Sequence, residues 1–158
     1  MKWVEGGGTV VALDSSAEYF IDLFGLPVSN VLADAQREDF LCPGSTLRVQ
    51  VDVDHPLGWG LRSDEAVYFA GSPAFRTSVP DPRFERRVIA RFPDHRDDIL
   101  ISGYLDGGEL LERKAAVVEF TVGTGKVILI GFRAQHRAHV LVHRAGHEVV
   151  HVLQGGQG

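Results

Sequence analysis

One cysteine, Cys42, stands among the 158 residues. A chain with a single thiol forms no intrachain disulfide and builds no thiolate cage for zinc. Long apolar runs are missing too: none approaches the roughly 20 residues of a membrane-spanning helix. The start of the chain, one lysine followed by Glu5 and three glycines, does not read as a signal peptide. Basic runs are absent, and with 16 basic against 21 acidic residues the net charge is −5, which leaves no electrostatic footprint for nucleic acid. What the chain does have is the material of a globular domain. Hydrophobic residues make up 44% and charged residues 23%, at a length that can bury one core. Cys42 lies in Leu41-Cys42-Pro43-Gly44, with no strand–turn–helix elbow to expose it. That setting favours a small buried apolar residue over a nucleophile.

Local patterns suggest the elements. Thr9–Leu13 (TVVAL) reads as a buried strand, and Ser15 with Glu18 three residues later has the form of a capping box. Ala17, Phe20, Ile21 and Phe24 fall on one helical face, Gly25 suits the C′ position, and Pro27 blocks continuation. A strand followed at once by a capped amphipathic helix is half of a βαβ unit and points to a partly parallel sheet. Thr46–Val53 (TLRVQVDV) alternates as a half-solvated strand does. Glu65–Ala70, Arg87–Phe92, Ile99–Leu105, Ala115–Val122 and Lys126–Phe132 read as further strands. Lys126–Ile130 is expected at the centre of a sheet, being apolar on both faces.

Three blocks carry a resemblance: Lys2–Leu13 (KWVEGGGTVVAL), Phe40–Leu61 (FLCPGSTLRVQVDVDHPLGWGL) and Thr121–Gln135 (TVGTGKVILIGFRAQ). In this order they resemble the C-terminal region of large bacterial M14-type zinc carboxypeptidases, where a glutamine-amidotransferase-like domain follows the peptidase domain. The resemblance covers about residues 3–135. It implies an α/β fold with a flavodoxin-like or class I glutamine-amidotransferase-like core, incomplete on its N-terminal side, with a β-rich extension between Phe40 and Val122. It also implies a partial domain over 1–135 and an atypical histidine-rich tail over 136–158. The function implied is a non-catalytic accessory module, for packing or substrate access, whose partner is an upstream peptidase domain. Zinc would belong to that domain, with no cofactor in this chain, and parents of this kind are often secreted or periplasmic. A sheet cut short implies an open edge through which copies could associate.

The family's catalytic motifs do not carry over. The peptidase signature is His-x-x-Glu, and no histidine here has a glutamate three residues on. The amidotransferase nucleophile would precede the strand at Thr9, with His136 or His139 near the place of its base.

From His136 the chain departs from the family pattern and carries five of its seven histidines. Within it, His147-Glu148-Val149-Val150-His151 is an HExxH sequence. On a helix, His147 and His151 would share a face and bind one Zn²⁺, with Glu148 activating a water as general base. His143 or His139 would continue the stripe as a further ligand. This is the alternative reading, a small zinc metallohydrolase. Gly146 and the valines at 142, 149, 150 and 152 count against a helix there. The tail is instead expected to dock poorly, its histidines titrating near the ordinary value of about 6.5.

Other patterns have plainer readings. Gly123-Thr124-Gly125-Lys126 lacks P-loop spacing and suits a β-turn, and Gly6-Gly7-Gly8 suits a tight turn from helix to strand. Asp52, Asp54 and His55 could chelate a cation from one rim, but solvated carboxylates are the commoner outcome. Trp59 has two readings, a surface aromatic for a partner or, the commoner outcome, an aromatic packed on its turn.

Overall fold

The computed structural model describes residues 2–77, 80–134 and 150–154. In chain order the elements are α1 (Lys2–Glu5), β1 (Thr9–Leu13), α2 (Ser16–Phe24), β2 (Val28–Asn30), β3 (Ser45–Val51), β4 (Asp64–Phe69), β5 (Phe75–Thr77), β6 (Glu85–Arg91), β7 (Leu100–Ser102), β8 (Ala115–Val122), β9 (Gly125–Ile130) and β10 (Val150–Gln154). One mixed sheet runs in the order β10-β1-β9-β8-β6-β3-β4, with β2, β5 and β7 attached off this path. β1 is parallel to both β9 and β10; the other pairings are antiparallel.

This architecture corrects the expected fold class. The chain is a mixed, mostly antiparallel sheet with few helices, not an α/β flavodoxin-like or amidotransferase-like core. α2 is the one α-helix longer than a single turn among the described residues. The strands between Phe40 and Val122 are no extension on an α/β core, because β3, β4, β6 and β8 are the body of the sheet itself. The expected βαβ unit fails for the same reason. The strand after α2 is β2, which pairs antiparallel with β5, while the parallel partners of β1 come from far along the chain.

The inner strands were patterned as expected. β9 lies between β1 and β8, with Val127, Ile128, Leu129 and Ile130 all buried. In β3 the alternation places Leu47 and Val49 in the core and leaves Arg48 and Gln50 half-exposed. A strand covered on one face alternates in this way, and a strand covered on both does not.

Core residues fall into two clusters on the two faces of the sheet. One gathers Val11, Leu47, Val49, Phe69, Ile89, Phe92 and Ile130. The other places Val4 of α1 and Ala17 and Phe20 of α2 against Val10, Val118, Phe120 and Leu129. α2 begins without the expected capping box. Ser15 makes no side-chain cap bond, Ser16 Oγ donates to the Leu13 carbonyl at 2.6 Å, and Glu18 accepts from Asn30 Nδ2. Its C-terminus is as read: Gly25 is left-handed at φ 61°, and the N–H groups of Gly25 and Leu26 donate to Asp22 and Ile21. Those two bonds are the Schellman pattern that a Gly at C′ permits.

The two glycine-rich turns lock together. The Thr124 N–H and hydroxyl both donate to the Glu5 carbonyl, and a Cβ on Gly125 would strike the backbone oxygens of Val4 and Gly8. These glycines serve close backbone approach between α1 and the β8–β9 hairpin.

Candidate functional site

At the carboxyl ends of β1 and β9 the chain builds a polar corner. Asp14 follows β1 directly in the left-handed region, φ 54°, which Asp tolerates better than most residues. Its N–H still donates to Ile130 at 2.8 Å, and its carbonyl accepts from Ala17, so the residue turns strand into helix. Arg133 lies three residues beyond β9. Its backbone N–H donates to Tyr68 O at 3.1 Å, its Nε reaches Asp14 Oδ2 at 3.3 Å, and its Nη2 reaches Ala70 O at 3.3 Å. A single side chain therefore ties together the ends of β1, β9 and β4. Asp14 Oδ1 is buried, and among the described residues it finds no hydrogen-bond partner. A buried, unpartnered carboxylate oxygen is rare in folded proteins and marks this corner as unfinished in polar terms.

Beside Arg133 opens a cleft of about 610 Å³. Its volume falls within the range of small-molecule sites. Arg37 and Arg133 supply its charge, Leu32, Phe40 and Pro43 part of its apolar wall, and among the described residues no Asp or Glu lines it. Tyr68 also lines it and sits so close to Gly44 that a side chain there would meet the phenol. Cys42 forms part of the wall but is only 5% exposed, and its thiol contacts the Phe69 carbonyl at 3.6 Å. Burial pushes its pKa up, against weaker opposing hydrogen bonds from Ser45 and Gly44. A thiol held protonated is a poor nucleophile.

A second polar cluster lies inside the sheet. Glu119 sits in the middle of β8 with its side chain 9% exposed. Lys126 Nζ reaches both of its carboxylate oxygens at 3.2 Å, and His55 Nε2 lies 3.5 Å from Oε1. His55 Nδ1 accepts the Leu57 N–H at 3.2 Å, so the proton of the neutral ring is on Nε2, facing the carboxylate. This cluster is closed, with every side chain committed. It holds the loop after β3 onto β8 and β9.

The cation rim suggested by Asp52, Asp54 and His55 is not assembled. Asp52 faces Arg87 at 3.9 Å and accepts from the Asp54 backbone, while His55 turns inward to Glu119. Trp59 is 52% exposed and donates its indole N–H to the Asp54 carbonyl. Of the HExxH sequence, His151 belongs to β10, where it lies opposite Val10 of β1. His136, His139, His143, His147 and Glu148 lie outside the described residues. In a helix residues four apart lie one turn from each other, whereas in an extended strand they stand about 13 Å apart, too far to hold one ion, and Val150 and His151 are in a strand. Among the described residues no cluster of three or more metal-ligating side chains occurs, and no helix is long and apolar enough to cross a membrane.

Asp14, Arg37, Arg133 and Glu119 were not singled out by the sequence. Only Glu119 carried a visible signal, one acid inside the apolar run AAVVEFTV.

No family model and no curated protein matches the chain. Among solved structures it is similar to a β-galactosidase from Bacillus circulans sp. alkalophilus, at 12% identity and a TM-score of 0.46, covering 83% of this chain and 17% of that one. It is also similar to the cytoplasmic protein STM3548 from Salmonella typhimurium, at 13% identity and a TM-score of 0.44, covering 82% of this chain and 45% of that one. The chain thus spans less than half the length of either, and likeness at this level assigns no function.

Proposed function

We propose that this chain is a non-catalytic accessory module that holds a ligand or a portion of substrate in the cleft beside Arg133. One observation carries the reading. The cleft contains a nucleophile type, Cys42, yet that thiol is buried, its pKa is pushed up, and among the described residues the lining offers no His, Asp or Glu to take its proton. Covalent catalysis needs an activated nucleophile with a base in reach. The site has instead two guanidinium groups and apolar walls, which suit binding. The ordered sequence blocks at 2–13, 40–61 and 121–135 support a place beside an M14-type zinc carboxypeptidase domain, as a packing or substrate-access element.

Zinc analysis and peptide hydrolysis with the purified chain test this reading. The expected result is no turnover of N-acylated peptides, with or without added zinc. Stoichiometric zinc lost in His147→Ala, with hydrolysis lost in Glu148→Gln, would overturn it in favour of a metallohydrolase.

A further inference from the structure

We propose that the cleft beside Arg133 selects a small organic oxyanion, a carboxylate or phosphate carried on an apolar body. The inference rests on the binding role proposed above and names its ligand class.

Charge is the first argument. The chain has 21 acidic and 16 basic residues, yet among the described residues this cleft is lined by Arg37 and Arg133 and by no acid. Arg133 is balanced from behind by Asp14, so Arg37 gives the lining its net charge, opposite in sign to that of the whole chain, and a walled cleft of one sign concentrates ions of the other.

Availability is the second. Among the described residues Arg37 makes no ion pair, so its guanidinium is free to take a ligand. Arg133 is held from behind: Asp14 takes Nε and Ala70 takes Nη2, while Asp14 itself stays out of the lining. The side chain is fixed in place with Nη1 left over. A guanidinium held by its neighbours loses little entropy when an oxyanion arrives, and its planar fork matches a carboxylate or phosphate edge.

The apolar part follows from Leu32, Phe40 and Pro43 on the same walls. A bare inorganic anion would leave that surface wet, whereas an aryl or alkyl body would cover it.

The test uses the full chain labelled with ¹⁵N and titrated with N-acetylphenylalanine, phenyl phosphate, N-acetylphenylalanine amide and inorganic phosphate. Saturable shifts at the Tyr68, Gly71 and Arg133 amides are expected for the first two probes, with at least tenfold weaker binding of the neutral amide and of inorganic phosphate. Arg37→Ala should weaken the anionic probes about tenfold and leave the amide unchanged, while Arg83→Ala, whose side chain pairs with Asp81 elsewhere, should change neither. The tighter of the two anionic probes names the headgroup. Equal binding of acid and amide, preference for inorganic phosphate, or no saturable shift with any probe would each overturn the ligand class. Hydrolysis of N-acetylphenylalanine in the same tube, seen as free acetate, would instead overturn the non-catalytic reading while leaving the anion preference standing.

Discussion

Asp14 and Glu119 are two carboxylates that the fold draws largely out of water, and it treats them differently. Glu119, at the middle of β8, has both oxygens engaged by Lys126 and the nearer one faced by His55. Asp14, at the end of β1, has one oxygen on Arg133 and the other without a partner among the described residues. The first is a closed cluster in the interior of the sheet. The second is an open one behind Arg133, outside the lining of the cleft. An unmet buried polar group costs stability, and so the two carboxylates should respond differently to loss of their charge. The same contrast holds for the cations. Lys126 is spent on Glu119, while among the described residues Arg37 has no ion pair and Arg133 keeps one amino group spare.

Breaking the closed cluster should have the largest effect. Glu119→Ala removes the acceptor for Lys126 and His55 and opens a cavity in β8, at an expected cost of about 3 kcal/mol, read as a lower urea midpoint with unchanged slope. Arg133→Ala should cost less, about 2 kcal/mol, since it frees Asp14 and the Ala70 carbonyl without opening a cavity inside the sheet. Arg133→Lys should recover only part of this, because an ammonium cannot bridge both acceptors in one plane.

A smaller effect is expected at Cys42. Its pKa is raised in the folded state by burial, so the unfolded chain deprotonates first. The thiol's contribution to stability is therefore intact below the unfolded pKa and declines as pH rises through the folded one, above the ordinary value of about 9. Iodoacetamide should accordingly label the native protein far more slowly than the urea-unfolded chain at pH 9, and equal rates would contradict a buried wall residue. Smallest of all, Arg37→Ala should leave the urea midpoint within about 0.5 kcal/mol of the parent, as expected for an exposed side chain without an ion pair. A larger loss would mean that Arg37 belongs to the fold and not to the cleft.

How much of this was legible in the sequence depended on whether the signal was local. β8 was bounded correctly at Ala115–Val122, and β3 announced its buried face, because continuous or alternating apolar residues report burial directly. The Gly25 cap was legible because a left-handed residue there suits glycine. β2 and β5 were not, since three residues carry no period and their pairing spans almost fifty positions. The connection after β1 was misjudged for the same reason. A capped helix after β1 suggested a crossover, but no local pattern says that β9 and β10 return to flank β1. Asp14 and Arg133 are 119 residues apart in sequence and meet only through the parallel pairing of β1 and β9. The HExxH sequence is the converse case. It is sharp as a string, but its last histidine stands on a strand.

The most direct test of the contrast compares two isosteric changes, Glu119→Gln and Asp14→Asn, by urea unfolding under one set of conditions. Glu119→Gln takes the charge from a buried acceptor shared by the half-exposed Lys126 and the buried His55 and should cost about 2 kcal/mol. Asp14→Asn gives up an ion pair but also removes a buried, unpartnered charged oxygen, and these opposing terms should leave the net change below about 1 kcal/mol. A greater loss for Asp14→Asn than for Glu119→Gln would show that the carboxylate behind Arg133 is the structural one and would contradict the account.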